Sequence, residues 1–455
     1  MQEYSAALEY HRSLSAVSEA IAHEICNNSQ ACKPLDLLET DLDPILKNFP
    51  YTINSTPTVV SQEKVKELAD TTNDAAALVR KMLKVTFDDQ ANRIADFYGV
   101  KNNENLVKAL NMDIIPHTIC RSDVIHGPTG YKILELNVTS NLGGWQPPLY
   151  EGLYRNNTAF SPYIGSTSKI TLTSVLGQYI KSLVCSSKRE GKTTRLLMFI
   201  DDPLWHERIE NLYRAIFSSA SKEECVEFIF VSTPEGIEFR DNKMFVQGRR
   251  VHAIVRKGNS AMETEIHQQM VNCFVHGNIV LPDNPLSELF SDKRSLALLY
   301  GLKDHRAFTV QERKFINEYV PWTVTSGVEQ VTYDNKQMSL RELLTHHKDQ
   351  LVVKEATGSQ GKQVYIGRYS APDKWQTLIE ELQTKKNYVI QQFHGSYEML
   401  AADGNQGVEV FEAVWGVFSF AGKYGGISLR MMPRSSPGVI NSAQGAMVAP
   451  VFEQI

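Results

Sequence analysis

The stretch from Lys132 to Gly144, KILELNVTSNLGG, constrains the fold more than any other. Its first seven residues are apolar except for Lys132, Glu135 and Asn137. Side chains alternate between the two faces of a strand. Leu134, Leu136 and Val138 then share one face, the expected core side, and Ile133, Glu135 and Asn137 share the other. A strand of this kind holds a carboxylate and an amide side by side, and a buried carboxylate is costly unless something pairs with it. Upstream, CRSDVIH places Arg121 and Asp123 two residues apart, on one face of a second extended run. The GPTG sequence between the two runs is a turn signal, so the pair reads as a hairpin. Arg121, Asp123, Glu135 and Asn137 then converge. Oxygen donors from carboxylates and an amide suit Mg²⁺, which takes one or two carboxylates plus substrate phosphates. An arginine beside them suits a phosphoryl group. The competing reading is a surface hairpin with an Arg–Asp pair.

At 455 residues the chain is long enough for two or three packed units. A net charge of -5 opposes electrostatic binding of nucleic acid. No apolar run reaches the roughly 20 residues that span a bilayer, so no membrane partner is expected. The N-terminal stretch is helical in flavour and acidic. It lacks the basic start, apolar centre and small-residue cleavage site of a secretory signal. The 6 cysteines (Cys26, Cys32, Cys120, Cys185, Cys225, Cys273) are scattered, with no CxxC pair. This favours structural thiols in a reduced cytoplasm.

Residues 1–110 read as mostly helical, with Ser61 as an N-cap and Glu63 in the first turn of one helix. Residues 111–164 carry the hairpin, after which SNLGGWQPP interrupts regular structure. From 165 to 285 the pattern alternates. ITLTSVLGQYIKSLVCS and WHERIENLYRAIFSSAS suit helices, and TRLLMFID and VEFIFVS suit buried strands. Such alternation predicts a parallel sheet of Rossmann type. No GxGxxG follows LLMFID, so a dinucleotide site is not expected. FRDNKMFV adds a hairpin with an Asp-Asn turn. Residues 286–455 hold the helix SDKRSLALLYGL and the strands LVVKEA, KQVYIGR, NYVIQQF, VFEAVWGVFSF and KYGGISLRMM.

Three further clusters could carry chemistry. In LVVKEATGSQGKQVYIG, Lys354 ends an apolar strand and Gly358, Gln360 and Gly361 lie in the turn that follows. Glycines let backbone N–H groups approach phosphate oxygens, and a lysine supplies charge. The context is strand–turn–strand and differs from a Walker A loop; an ordinary hairpin is the alternative, with Lys362 solvated. In NYVIQQFHG, Gln391 and Gln392 offer amides to an adenine edge while Phe393 stacks, and His394 reads as a loop residue. Glu409 and Glu412 follow, within reach of a ribose or metal, or exposed. In YGGISLRMMPRSSPGVIN, Arg430 and Arg434 suit anionic substrate groups or a transferring phosphoryl group, and Asn441 is either a ligand or a turn former.

Together these clusters resemble the ATP-grasp ligases, most closely the circularly permuted branch that includes glutathionylspermidine synthetase and related peptide and amide ligases. RSDVIHGPTGYKILELNVTSN is similar to that branch's Arg-x-Asp, glycine turn and apolar-Glu-x-Asn. SDKRSLALLYGL resembles its Asn-Lys helix, with Asp292 in place of Asn. LVVKEATGSQGKQVYIG resembles its lid strand pair, with Glu355 where proline is usual. QERKFINEYVPWT is similar to text of the same branch. The Glu-x-Asn strand precedes the lid here, which supports permutation. The resemblance implies an α+β / α/β chain with a circularly permuted ATP-grasp fold, a Rossmann-like pre-ATP-grasp domain (165–285) and a helical N-terminal region. It implies ATP and Mg²⁺ as cofactors and a small-molecule carboxylate and amine as substrates, joined through an acyl phosphate. It assigns Glu135 and Asn137, with Asp123 helping, to the metal, Arg121 to the transferring phosphoryl group, and Arg430 to the acyl phosphate or the substrate carboxylate. It assigns Lys293, Lys354 and the turn carrying Gly358, Gln360 and Gly361 to the phosphates, and Gln391, Gln392 and Phe393 to the adenine. No amidase-like N-terminal domain with a catalytic cysteine is evident. A phosphotransferase on the same fold, or an inactive nucleotide-binding protein, are the alternatives.

Overall fold

The computed structural model describes residues 4–35, 37, 49–166, 169–187, 193–200, 210–211, 226–257, 264–358, 360–405 and 407–455. The hairpin forms as its sequence predicts. Strand Ile119–Gly127 pairs antiparallel with Gly130–Val138, with Arg121 opposite Asn137 and Asp123 opposite Glu135. The turn closes on Gly130, whose φ of 80° lies in the left-handed region that glycine enters freely.

The faces of the second hairpin strand differ from simple alternation. The register shifts between Asp123 and Val124, which stand opposite Glu135 and Ile133, so Leu134 is an extra residue. A bulge of this kind leaves one residue unpaired and re-aims its neighbours. Ile133 therefore joins Leu136 and Val138 in the core. Leu134 turns to the side of Glu135 and Asn137 instead.

The hairpin belongs to an 8-stranded sheet. Its path runs Thr58–Val60, Met447–Gln454, Lys423–Pro433, Val408–Phe420, Ile119–Gly127, Gly130–Val138, with Glu398–Ala402 and Ile170–Thr171 attached at the side. Thr58–Val60 lies parallel to the C-terminal strand and is fully buried. The region read as mostly helical thus supplies a sheet strand as well as helices. Behind the sheet, Phe411, Trp415 and Val417 pack with Val79, Leu83, Leu296 and Leu299 from two helices in one continuous core. Ser61 caps the helix Gln62–Asp70, its Oγ accepting from the Lys64 N–H at 3.3 Å.

The strands of the alternating region form a parallel sheet of three: Ala253–Lys257, Thr194–Ile200 and Val226–Val231. The helix Val175–Ser186 lies between this sheet and the large one; Val175, Leu176 and Leu183 share a core with Leu196, Met198, Phe418 and Phe420. The helix expected over WHERIENLYRAIFSSAS falls outside the described residues apart from 210–211. The Asp-Asn hairpin turn is present, Asp241 and Asn242 both having positive φ (50° and 56°).

A further antiparallel sheet orders Thr323–Thr325, Tyr388–Gln392, Leu351–Glu355 and Val364–Ile366. Its faces follow a strict period of two. Leu351, Val353, Tyr388 and Ile390 enter a core with Leu343, Trp375 and Leu378. Val352, Lys354, Ile366 and Gln391 face the other way, toward the hairpin of the large sheet. Two sheets thus confront each other across a cleft. No helix among the described residues is long and apolar enough to cross a membrane.

Candidate functional site

The cleft encloses about 1070 Å³ of free space counted out through its open mouth. All the residues that the family resemblance assigns to metal, phosphates, adenine or the transferring group line it. The large sheet contributes Arg121, Asp123, Glu135, Asn137 and Arg430. The facing sheet and its turns contribute Lys354, Gly358, Gln360, Gly361, Gln391, Gln392 and Phe393, and the helix Lys293–Gly301 contributes its first residue, Lys293.

Asp123 is the electrostatic centre. It is 4% exposed. Its Oδ1 accepts from Arg121 Nε at 2.9 Å and lies 2.7 Å from Arg430 Nη2. Burial alone would raise its pKa, but the two guanidinium groups outweigh burial and hold the carboxyl well below the usual range. Arg430 Nη2 is itself buried against this carboxylate, so the pair is held away from water. The sheet register explains the convergence: Gly416 stands opposite both Asp123 and Ser428, and Val414 opposite Arg430. A Cβ at Gly416 would sit 2.5 Å from Ser428 Oγ and 3.2 Å from Arg121 Cδ. The absent side chain is what lets Arg121 lie across the sheet toward Asp123.

Glu135 meets the opposite wall. Its Oε2 is 3.4 Å from Lys293 Nζ, and its Oε1 is 3.4 Å from Asn137 Nδ2. Lys293 also donates to the backbone O of Gly358 at 2.7 Å, tying the glycine turn to the cleft. Asp292, which stands where the resembled family has Asn, caps this helix, accepting from the Arg294 N–H at 2.8 Å. Lys354 Nζ donates to Leu134 O at 3.1 Å, across the cleft, and to Gln391 Oε1 at 2.7 Å. Burial lowers its pKa to about 8, Glu135 acting against the shift and Lys293 with it. The cleft therefore sets three carboxylates, Asp123, Glu135 and Glu412, against the four cationic side chains Arg121, Lys293, Lys354 and Arg430, a positive charge concentration suited to phosphates.

Among the described residues no three His, Cys, Asp or Glu side chains are grouped to hold an ion by themselves. Asp123 and Glu135, directly opposite in the register, with Asn137 beside them, supply two carboxylates and one amide. That set fits Mg²⁺ arriving with phosphates that complete its coordination.

The remaining sequence candidates divide. Gln391 faces the cleft, yet both ends of its amide are engaged: Oε1 by Lys354, and Nε2 donating to Thr323 Oγ1 at 3.2 Å. Its present partner is thus the lysine. Phe393 carries the Arg368 guanidinium 4.0 Å over its ring. Glu412 and His394 line the cleft, whereas Glu409, Arg434 and Lys362 do not. Arg434 instead pairs with Glu398 at the surface. Asn441 lines the cleft and forms a turn, its Oδ1 accepting from the Ala443 N–H at 2.9 Å. Glu355 lies outside the cleft lining and bonds Asn387. The glycine turn leans on this segment: a Cβ at Gly361 would be 3.0 Å from Val439.

Sequence reasoning missed the apolar walls, Ile125, Leu134, Val352, Ile366, Tyr369 and Val439. Val352 and Ile366 carried a usable signal, since they share the strand face of Lys354 by the period of two.

No protein-family model and no curated protein sequence matches the chain. Among solved structures, one similar to it is a glutathione synthetase-like effector from Globodera pallida in its apo form. The two are 11% identical with a TM-score of 0.56, over 95% of this chain and 97% of that one. A second, a protein provisionally assigned as a gamma-glutamylcysteine synthetase from Methylobacillus flagellatus, is 10% identical with a TM-score of 0.40, over 84% of this chain and 87% of that one. The first likeness extends over nearly the whole of both chains and shows a shared fold.

Proposed function

We propose that this chain is an ATP-dependent carboxylate–amine ligase of the circularly permuted ATP-grasp type, forming an amide through an acyl phosphate and releasing ADP and phosphate. One observation carries the reading. A single cleft between two sheets brings Asp123, Glu135 and Asn137 together with Arg121, Lys293, Lys354 and Arg430. The likeness of fold to a protein named for glutathione synthetase supports an amide-forming reaction, and Lys354 reaching across 220 residues of sequence to Leu134 accords with a hairpin moved ahead of the lid.

Asp123, Glu135 and Asn137 would hold Mg²⁺, which supplies charge neutralisation at the phosphates. Lys293 and Lys354 meet the phosphate chain, and the turn residues Gly358, Gln360 and Gly361 border it. The apolar side chains Val352, Ile366 and Leu134 sandwich the base beside Phe393. Arg430 and Arg121, both lining the cleft, receive the substrate carboxylate and the charge that grows on the transferring phosphoryl group. Positioning and fixed charge do most of the work in phosphoryl transfer. A carboxylate oxygen bonds to the γ-phosphorus as the bond to ADP breaks; the amine then attacks the acyl-phosphate carbonyl, and phosphate leaves with the C–O bond electrons and takes up the proton that the amine loses.

The test is ADP release with Mg²⁺-ATP against amino acids, dipeptides and polyamines, singly and in pairs. Release that requires an acid and an amine together, with an amide of matching mass, supports the ligase. Release with one hydroxylated compound and a phosphorylated product would replace it with a phosphotransferase.

A further inference from the structure

The strand that carries Glu135 and Asn137, Gly130–Val138, ends the path of the large sheet, and no further strand pairs with its outer side among the described residues. In an antiparallel pair, successive residues turn their backbone N–H and C=O alternately toward the partner strand and away from it. At Val138, opposite Cys120, these groups turn outward, and one side chain meets both. Ser291 Oγ accepts from the Val138 N–H at 2.7 Å and donates to Val138 O at 3.2 Å. Backbone groups left unpaired away from water are costly, so the hydroxyl does there what a next strand would do.

Ser291 is the last residue of the short helix Ser287–Ser291, whose Leu289 and Phe290 enter the core with Ile133 and Leu136. Two residues on, Lys293 begins the next helix. Its backbone N–H donates to Ala356 O at 3.0 Å, just past the strand that carries Lys354. Its Nζ reaches Gly358 O at 2.7 Å and stands 3.4 Å from Glu135 Oε2. Between them Asp292 holds Arg294 Nη2 at 2.7 Å, and Arg294 donates to Phe97 O at 2.8 Å and Tyr98 O at 3.2 Å, at the end of the helix Ala91–Tyr98. Three consecutive residues are thus fastened to the hairpin, to the N-terminal helices and to the facing sheet. The bond to Ala356 fixes Lys293 against the facing sheet, and the bonds of Ser291 fix it against Glu135.

We propose that Ser291 is a positioning residue for the nucleotide: its paired hydrogen bonds to Val138 set the separation of Lys293 from Glu135 and Asn137, so that one phosphate chain meets all three. The proposal rests on the ligase reading for the nucleotide alone. The hydroxyl acts through Lys293, so its removal should weaken nucleotide binding only while Lys293 is present.

Calorimetry measures binding of a non-hydrolysable ATP analogue with Mg²⁺ to the full chain, to Ser291→Ala, Ser291→Thr and Lys293→Met, and to the chain carrying both Ser291→Ala and Lys293→Met; circular dichroism confirms that each is folded. Ser291→Cys, similar in shape but a weak hydrogen-bonding group, repeats the comparison should Ser291→Ala not fold. Ser291→Ala should weaken binding by roughly tenfold, the scale of one hydrogen bond to a charged group, and Ser291→Thr, which keeps the hydroxyl, should bind as the parent chain does. In the Lys293→Met background Ser291→Ala should change affinity by less than about twofold, because residues that act through one contact do not add. A serine that only covers a strand edge would cost the same in both backgrounds. That result, or an unchanged affinity in Ser291→Ala, would overturn the proposal. ADP release separates this from the ligase reading. Equal loss in both backgrounds, with release from an acid–amine pair, would sink the positioning role and leave the ligase. Loss confined to the chain that keeps Lys293, with no release in any pairing, would do the reverse.

Discussion

Replacing Asp123 with Asn tests the electrostatic design of the cleft at its centre. Asp123 is 4% and Arg430 8% exposed, and the contacts are 2.9 Å to Arg121 and 2.7 Å to Arg430. Asn keeps the shape and removes the charge, leaving two guanidinium groups crowded in one buried site. Removing one partner of a buried pair costs about 3–5 kcal/mol. The arginines open on one side to the cleft, so the lower end, about 3 kcal/mol, is expected. Urea unfolding at neutral pH reads this directly. Asp123 stays ionised in the folded chain at lower pH than in the unfolded one. Its contribution is therefore complete above about pH 4, where unfolded aspartate is ionised, and is lost as pH falls below that. The gap between wild type and variant should narrow over the same range. Removing Arg430 as well, by Arg430→Met, should recover part of the loss, so the two substitutions should not add. A single variant within about 0.5 kcal/mol of wild type, the scatter of ordinary surface changes, would refute the reasoning. So would strict additivity.

Three other outcomes follow from the same geometry. Glu135→Gln should lower Mg²⁺-dependent ADP release by roughly 10²-fold or more, the scale of losing one fixed electrostatic element of a transition-state site, with the fold intact by circular dichroism. Lys354 is charged below its pKa of about 8 and neutral above it; the apparent affinity for ATP should fall as pH rises through about 8, and Lys354→Met should flatten that limb. Gly416→Ala forces a Cβ to 2.5 Å from Ser428 Oγ and 3.2 Å from Arg121 Cδ; it should destabilise the chain by about 1–3 kcal/mol and lower kcat by displacing Arg121.

The legible parts of the sequence were those where chemistry and spacing are local. Arg121 and Asp123, Glu135 and Asn137 could be placed on one face because a glycine turn and a period of two are written within twenty residues. Lys354 and its glycine turn were visible for the same reason. The bulge at Leu134 was not, because a single extra residue in an apolar run leaves no compositional mark, and it moved Ile133 to the core. Thr58–Val60 and Met447–Gln454 were missed as a pair because they meet from opposite ends of the chain. The partner of Gln391 was equally hidden. A glutamine at a strand end offers its amide to base or lysine alike, and only the register that sets Val352 opposite Gln391 decides between them. Val352 and Ile366 looked like any buried strand residues until the face carrying Lys354 was known to border the cleft.

The central claim is that this cleft holds Mg²⁺-ATP on the residues of the hairpin and the facing sheet. Calorimetric titration with ATP, with and without Mg²⁺, on wild type, Asp123→Asn and Lys354→Met tests it most directly. The account predicts Mg²⁺-dependent binding at one site per chain, weakened in both variants while circular dichroism shows them folded. No binding to the wild-type chain, or equal binding to all three, would contradict it.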